Sequence, residues 1–412
     1  MKRYIQSIHI NRLFHISDLE IPVSDDSHYN LIITGKNGSG KTVLLNAIVD
    51  FFNRVKSDSH LNFTNLDNTI KFYEDRLAKA TTDDQRFSIE QRIKHYKNEN
   101  ESLYGRVVIS FNNIADIIHK YQHDEFILAF YSATRNSRMV EPKNPTKPLI
   151  EKKGNIDKSV TPQFLNFLSD LKIQEALARN EGQLKDADEI GAWFSEFEKL
   201  LQKLFEDPSL KLVFNYRDYS FVIHSKDKAF KFTQLSDGFS AVLDIIADLI
   251  LKIQNQNSLV RSYKKEGIVL IDEIETHLHL QLQKAILPLL INLFPNIQFI
   301  VTTHSPFVLN SIDSATVYDL ENHSLIKEGL SNASYSGIVE GYFKQDELSA
   351  DLREKLESYR ELTQKKELAD DDYAKIAYLE PILEEIPDYL DPGIALEFRR
   401  LKVEFERRED LL

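Results

Sequence analysis

Apolar residues recur along the first hundred positions with two different periods. Tyr4-Ile5-Gln6-Ser7-Ile8-His9-Ile10 alternates, as a strand with one wet face does, and the shorter run Leu19–Val23 follows it. Asn30–Thr34 is apolar without alternation, which predicts a strand buried on both faces. A glycine-rich turn then leads into an apolar helix over Val43–Phe52. Between 57 and 105 the period lengthens. Leu66, Ile70, Tyr73, Leu77 and Ala80 are spaced 4-3-4-3, and so are Ile89, Ile93, Tyr96, Asn100 and Leu103. Thr81-Thr82-Asp83-Asp84 lies between them as a turn and helix cap. This spacing fits either a short antiparallel coiled-coil hairpin or two amphipathic helices laid on the core.

Strand patterns return at Arg106–Phe111 and Phe126–Tyr131, and a proline-containing loop follows over 135–158. It carries seven basic residues, Arg135, Arg138, Lys143, Lys147, Lys152, Lys153 and Lys158; such a run can touch phosphates but is more often a solvated loop. Helical patterns fill about 160–206, and short alternating strands fill 210–232. A nearly all-apolar helix, Phe239–Ile253, precedes two more buried strands that end at Ile271 and Val301. From 337 the pattern is helical and charged, broken at Pro387 and Asp391-Pro392. Buried strands alternating with helices predict an α/β fold. The expected organisation is a head built from 1–56 and 106–336, a helical insertion over 57–105, and a helical arm over 337–412.

Composition narrows the class without changing this layout. Of 412 residues, 42% are hydrophobic and 28% charged, as in an ordinary soluble domain. Cysteine is absent, which removes disulfides, thiolate metal sites and cysteine nucleophiles. No run reaches the roughly 18 apolar residues that span a bilayer. Met1-Lys2-Arg3-Tyr4 runs into a strand pattern with no signal peptide's apolar core, so no membrane contact and a cytoplasmic location are expected. The net charge of −13 argues against a broad nucleic-acid surface and leaves a local groove open. Residues 337–412 hold 12 Lys/Arg against 21 Asp/Glu, so −9 of that charge lies in the arm.

Four motifs carry chemistry. Gly35-Lys36-Asn37-Gly38-Ser39-Gly40-Lys41-Thr42 is a complete G-x-x-x-x-G-K-[ST] loop between a buried strand and a helix. Its glycines let successive N–H groups face phosphate oxygens, Lys41 reaches the β- and γ-phosphates, and Thr42 ligates magnesium. Ile268-Val269-Leu270-Ile271-Asp272-Glu273 is a buried strand delivering two acids to its C-terminal edge. Asp272 suits Mg2+, and Glu273 beside it suits polarising the attacking water. Phe299–Pro306 ends a neighbouring strand at His304, where an imidazole can hydrogen-bond the γ-phosphate. Leu235-Ser236-Asp237-Gly238 enters the apolar helix, an arrangement that makes an anion site or an ordinary cap.

Taken in order, these motifs resemble the ABC ATPase superfamily. Leu235-Ser236-Asp237-Gly238 is similar to its signature sequence, with Asp237 in place of the commoner glycine, and His304 to its switch histidine. Asp272-Glu273-Ile274-Glu275-Thr276-His277-Leu278-His279 and Thr302-Thr303-His304-Ser305-Pro306 resemble one group within it. That group holds the OLD-type ATPases, the RecF-like repair ATPases and the ATPase subunits of bacterial anti-phage systems, such as PtuA of Septu and AriA of PARIS. The resemblance covers roughly 1–55, 106–140 and 205–330. It implies an ABC ATPase head, a mixed sheet with a P-loop core flanked by helices, binding ATP and Mg2+. It also implies a homodimer or larger homo-oligomer in which Leu235, Ser236, Asp237 and Gly238 act in trans on the partner's nucleotide. The group carries a pair like His277 and His279 near the dimer interface, against a metal reading of their H-x-H spacing, and Leu280 stands where many relatives have proline. In Tyr131-Ser132-Ala133-Thr134-Arg135, Arg135 is a candidate phosphate or interface contact.

The resemblance implies an ATPase with catalytic Lys41, Glu273 and His304. OLD proteins add a TOPRIM nuclease that needs acids on strands. Here the sequence after 330 reads as helical and no histidine follows His323, so no nuclease site is expected. The expected role is control of a separate effector, a nuclease or toxin docking on the arm, in anti-phage defence. A DNA repair or DNA-loading ATPase of RecF/SMC-like type is the alternative, and DNA contact stays open. A short hairpin and acidic charge favour the first.

Overall fold

Five buried runs build the centre of the molecule. In the computed structural model they are parallel strands of one six-stranded sheet. The structure describes residues 4–24, 29–57, 60–104, 106–135, 139–142, 144, 156–226, 228–254, 265–326, 350–365, 368–384, 392–406 and 408. The chain forms two units, 1–335 and 336–412.

The first unit begins with β1 (Ile5–Leu13), β2 (Ile16–Pro22), β3 (Asn30–Thr34), α1 (Lys41–Ser57), α2 (His60–Ala78) and α3 (Asp83–Tyr104). It continues through β4 (Val107–Phe111), α4 (Ile114–Gln122), β5 (Phe126–Tyr131), α5 (Phe164–Asn180) and α6 (Leu184–Leu204). Next come β6 (Lys211–Asn215), β7 (Ser220–Ser225), β8 (Lys228–Lys231), α7 (Asp237–Ile253) and β9 (Glu266–Ile271). The unit closes with α8 (Leu280–Leu293), β10 (Ile297–Thr302), α9 (Pro306–Leu309), β11 (Ala315–Asp319) and β12 (Ser324–Ile326). The central sheet runs β12-β11-β3-β10-β9-β5, parallel throughout except for β12 on its edge. Every residue of β3, β5, β10 and β11 is buried, which is why these runs show no period of two. The alternating segments do alternate. In β1 the buried residues Ile8 and Ile10 face the core in an antiparallel sheet ordered β2-β1-β4.

The two strands on one side of β3 set the site. β10 lies between β3 and β9, with Ile33 opposite Thr302 and Ile271 opposite Val301. Segments leaving the C-terminal ends of β3, β10 and β9 therefore meet at one edge of the sheet. Helix α7 is buried almost all round, as its composition requires. It carries Asp248 into the interior, where the carboxylate accepts from Tyr131 Oη at 2.7 Å and Val160 N at 2.6 Å and pairs with Lys252 at 2.7 Å.

The insertion folds as a helical hairpin of α2 and α3. Ile70 and Ile93 are buried, Tyr73 stacks on Tyr96 at 5.6 Å, and Lys97 pairs with Glu74. Ile70, Tyr73, Ile93 and Tyr96 are 4-3 spaced positions. The hairpin also touches the helices beside it, α3 against α1 and α2 against α4.

The second unit is α10 (Ala350–Gln364), α11 (Asp370–Glu384) and α12 (Pro392–Glu406). Leu356 and Tyr359 of α10 pack with Ile376, Leu379 and Leu383 of α11 and Phe398 and Leu401 of α12, with Leu362 at the rim. Three amphipathic helices thus bury their apolar stripes together in the unit's own core. Asp370-Asp371-Asp372 opens α11, where Asp372 accepts from Ala369 N at 3.0 Å as a helix cap does. Pro387 and Asp391 lie outside the described residues.

Candidate active site

The glycine loop closes around its own lysine. Gly35, Gly38 and Gly40 have φ of +137°, +86° and +100°, a region costly for residues with a Cβ. At Gly35 space is also short, since a Cβ would stand 2.9 Å from Ser39 Oγ and 3.2 Å from Glu321 N. Lys41, 6% exposed, donates to the carbonyls of Gly35 at 2.8 Å and Lys36 at 3.0 Å. Burial lowers its pKa, opposed by the carboxylates of Glu273, Glu275, Asp272 and Asp319. Asn37, Gly38 and Thr42 are exposed and Ser39 is buried. Glu321, just past β11, accepts from Lys36 N at 3.1 Å and pairs with its ammonium at 3.0 Å.

The acids stand at the end of β9. Asp272 is 1% exposed, and its N–H continues the sheet to Tyr131 O at 2.8 Å. Thr302, at the end of β10, donates its hydroxyl to Asp272 Oδ1 at 2.6 Å and accepts from Glu273 N at 2.8 Å. Glu273 has φ +43°, a left-handed conformation costing a residue with a Cβ about 1–2 kcal/mol, so its surroundings must hold it there. Its Oε2 accepts from Thr276 Oγ1 at 3.3 Å.

His304 completes the cluster, half-buried after β10. Burial lowers its pKa first and the Lys41 charge next, against Glu273 and Asp272. Its backbone N–H donates to Glu275 Oε1 at 2.5 Å, while Glu275 Oε2 is buried without a partner among the described residues. Burial raises the Glu275 pKa. The structure thus brings Lys41, Asp272, Glu273 and His304 together. A hydroxyl such as that of Thr42 and a carboxylate such as that of Asp272 are the oxygen donors that suit a hard cation such as Mg2+. Among the described residues no three His, Asp or Glu side chains converge to hold a metal by themselves, His277 and His279 included.

The Leu235–Gly238 turn packs elsewhere. Gly238 is buried against the loop after β9, where a Cβ would stand 3.0 Å from His277 O. Ser236 caps α7 by position, but its exposed hydroxyl makes no capping hydrogen bond. His279 stacks edge-on against Phe239 at 5.7 Å. His277 takes φ +67° in the turn that precedes Leu280, the first residue of α8.

Sequence reasoning missed Thr302, Glu275 and Glu321, whose bonds span 29, 29 and 285 residues. The available signal was a polar residue at the end of each buried strand or just beyond it. Arg135 lies beside the acids. Its guanidinium donates to the carbonyls of Glu273 at 2.6 Å and Asp272 at 3.5 Å. Tyr131 is buried on Asp248. Arg138, Lys143, Lys147, Lys152 and Lys153 lie outside the described residues.

The family described as "AAA domain, putative AbiEii toxin, Type IV TA system" matches residues 31–310. "Retron Ec83 probable ATPase" of Escherichia coli is 36% identical over 161 residues, 38% of this chain and 30% of that protein. "Retron Vc95 probable ATPase" of Vibrio cholerae serotype O1 biovar El Tor is 28% identical over 257 residues, 61% of this chain and 43% of that one. "Septu protein PtuA" of Bacillus mycoides (strain KBAB4) is 25% identical over 327 residues, 78% of this chain and 41% of that one. The matches span less than half the length of each of these relatives. The family match, by contrast, runs from the second residue of β3 to just past α9 and takes in both motif strands, so the chain belongs to the family of the AAA domain, putative AbiEii toxin, Type IV TA system.

Proposed function

We propose that the chain binds ATP with Mg2+, hydrolyses it in the manner of ABC-type ATPases, and works as one subunit of an assembly controlling a separate effector protein. One observation carries the catalytic part. A complete phosphate loop, two acids and an imidazole meet at the C-terminal edge of a parallel sheet, around a buried lysine. Lys41 rests on two carbonyls of its own loop, bonds that β- and γ-phosphate oxygens replace with charge-assisted ones. Thr42 and Asp272 are the residues to hold Mg2+, which neutralises phosphate charge when bound. Glu273 orients the attacking water. His304, kept neutral by burial, donates one ring N–H to the γ-phosphate.

The assembly rests on other observations. The exposed Ser236 hydroxyl and the first turn of α7 are free of a capping bond, which suits a phosphate brought by a second subunit in a head-to-tail dimer. The retron and Septu names of the relatives support a place in anti-phage defence, with a nuclease or toxin as effector.

Two variants test the chemistry in purified protein. Lys41→Ala loses ATP binding. Glu273→Gln keeps binding and loses about 10²-fold or more of turnover. Turnover at the parent's rate in Glu273→Gln removes the glutamate from its role.

A further inference from the structure

We propose that Arg135 is a positioning residue for Glu273, setting the carboxylate's aim by holding its backbone carbonyl. The inference rests on the reading of Glu273 as the group that orients water. β5 and β9 pair in parallel with Tyr131 opposite Ile271, and Asp272 N extends the ladder to Tyr131 O. Four residues beyond Tyr131, the chain turns Arg135 under the acids. One guanidinium nitrogen then reaches the carbonyl of Glu273 at 2.6 Å and that of Asp272 at 3.5 Å.

The Glu273 peptide needs such a grip. Its φ of +43° persists only where neighbours over-determine it. Thr302 Oγ1 takes the N–H on one side and Arg135 takes the C=O on the other, so the residue is fixed at both ends. Holding a guanidinium there is costly. Arg135 Nε is buried without a hydrogen-bond partner among the described residues. Desolvation is the largest influence on the group, opposed by Glu275, Asp272, Glu273 and Asp244. Both carbonyl bonds come from one nitrogen, Nη2, so it is the unchanged Kd of a nucleotide analogue that separates this role from a direct nucleotide contact. Arg135 also lines a cavity of ≈ 580 Å³ with Asp244, Ser240 and His277, so small cations can reach it from solvent.

The test measures kcat, KM and the Kd of a fluorescent ATP analogue for Arg135→Ala, Arg135→Lys and Glu273→Gln, and for Arg135→Ala with Glu273→Gln. A misaimed catalytic group costs about 10²-fold. The expected result is a loss of that size in kcat for Arg135→Ala, with Kd unchanged within about threefold and partial rescue by added guanidinium chloride. Arg135→Lys, which keeps the charge but not the planar fork, also loses kcat and serves if the alanine variant does not fold. Because Arg135 acts through Glu273, its loss adds little on the Glu273→Gln background. Weakened binding at unchanged kcat, or losses that multiply in the double variant, overturns the proposal. Parent-like turnover in Glu273→Gln alone instead overturns the reading of the base.

Discussion

The Thr302 hydroxyl donates to Asp272 at 2.6 Å across the gap between β10 and β9. The same oxygen accepts from the Glu273 N–H, so one small side chain ties both acids to the end of the strand that leads to His304. Thr302→Val keeps the shape and removes both bonds. It leaves a buried carboxylate oxygen and a backbone N–H without this partner, at about 1–3 kcal/mol. Urea melts should show that loss, and ATP turnover should fall more than ATP binding. Thr302→Ser should restore both. A valine variant with unchanged stability and turnover would show the bridge to be incidental.

The Asp272–Thr302 pair also marks the boundary of what sequence reveals. Asn30–Thr34, Phe126–Tyr131 and the helix leading to Ile253 were legible because burial on both faces writes an unbroken apolar run. The four chemical motifs were legible because each is a local string. The order β12-β11-β3-β10-β9-β5 was not, since pairing partners lie far apart in the chain. β12 is only three residues long, and β11, Ala315–Asp319, breaks its apolar run with Thr316 and ends on Asp319. Lys41 and Thr42 begin α1 two residues before the apolar run, because a polar first turn carries no helical stripe. Glu275 illustrates the rest. It lies in a recognised string, yet its bond to His304 N appears only once two strands stand side by side.

Sharing of the nucleotide between subunits gives a mixing experiment. Lys41→Ala removes one subunit's phosphate grip, and Ser236→Arg blocks the surface offered to the other's nucleotide. Each variant alone should be inactive. Mixed, each heterodimer has one site with Lys41 and Ser236 both intact, so ATPase activity should return in part. If mass measurement shows mixed dimers and they stay as dead as the parents, the trans arrangement fails.

A buried acid gives the pH prediction. Asp244 on α7 is 9% exposed, and its pKa is pushed up to about 7, by burial first and by Asp248 next, with Arg135 opposing. A carboxyl that holds its proton in the folded chain and loses it near pH 4 in the unfolded one favours the fold at low pH. That contribution is complete below the unfolded value and is lost as pH rises through about 7. Asp244→Asn keeps the size and cannot ionise. Relative to the parent it should gain about 1–3 kcal/mol in urea stability between pH 4 and pH 8. Parallel stability curves for parent and variant across that range would remove Asp244 as the source.

The last prediction concerns residues 337–412. Their apolar stripes are spent on one another, around Tyr359 and Phe398, and the first unit has a hydrophobic core of its own. Deleting the segment should therefore leave a soluble head with its ATPase activity intact. What the arm offers a partner is its outer surface, and that surface is acidic, since the segment carries −9. Phosphate backbones repel such a surface, and basic protein surfaces do not. The effector should accordingly be lost from pull-downs with the truncated chain and should bind the full chain less well as salt rises. Duplex DNA binding, measured by anisotropy, should not change on deletion. A truncated head that aggregates would show the arm to be part of the head's packing. One that keeps the effector but loses DNA would reverse the assignment of the arm.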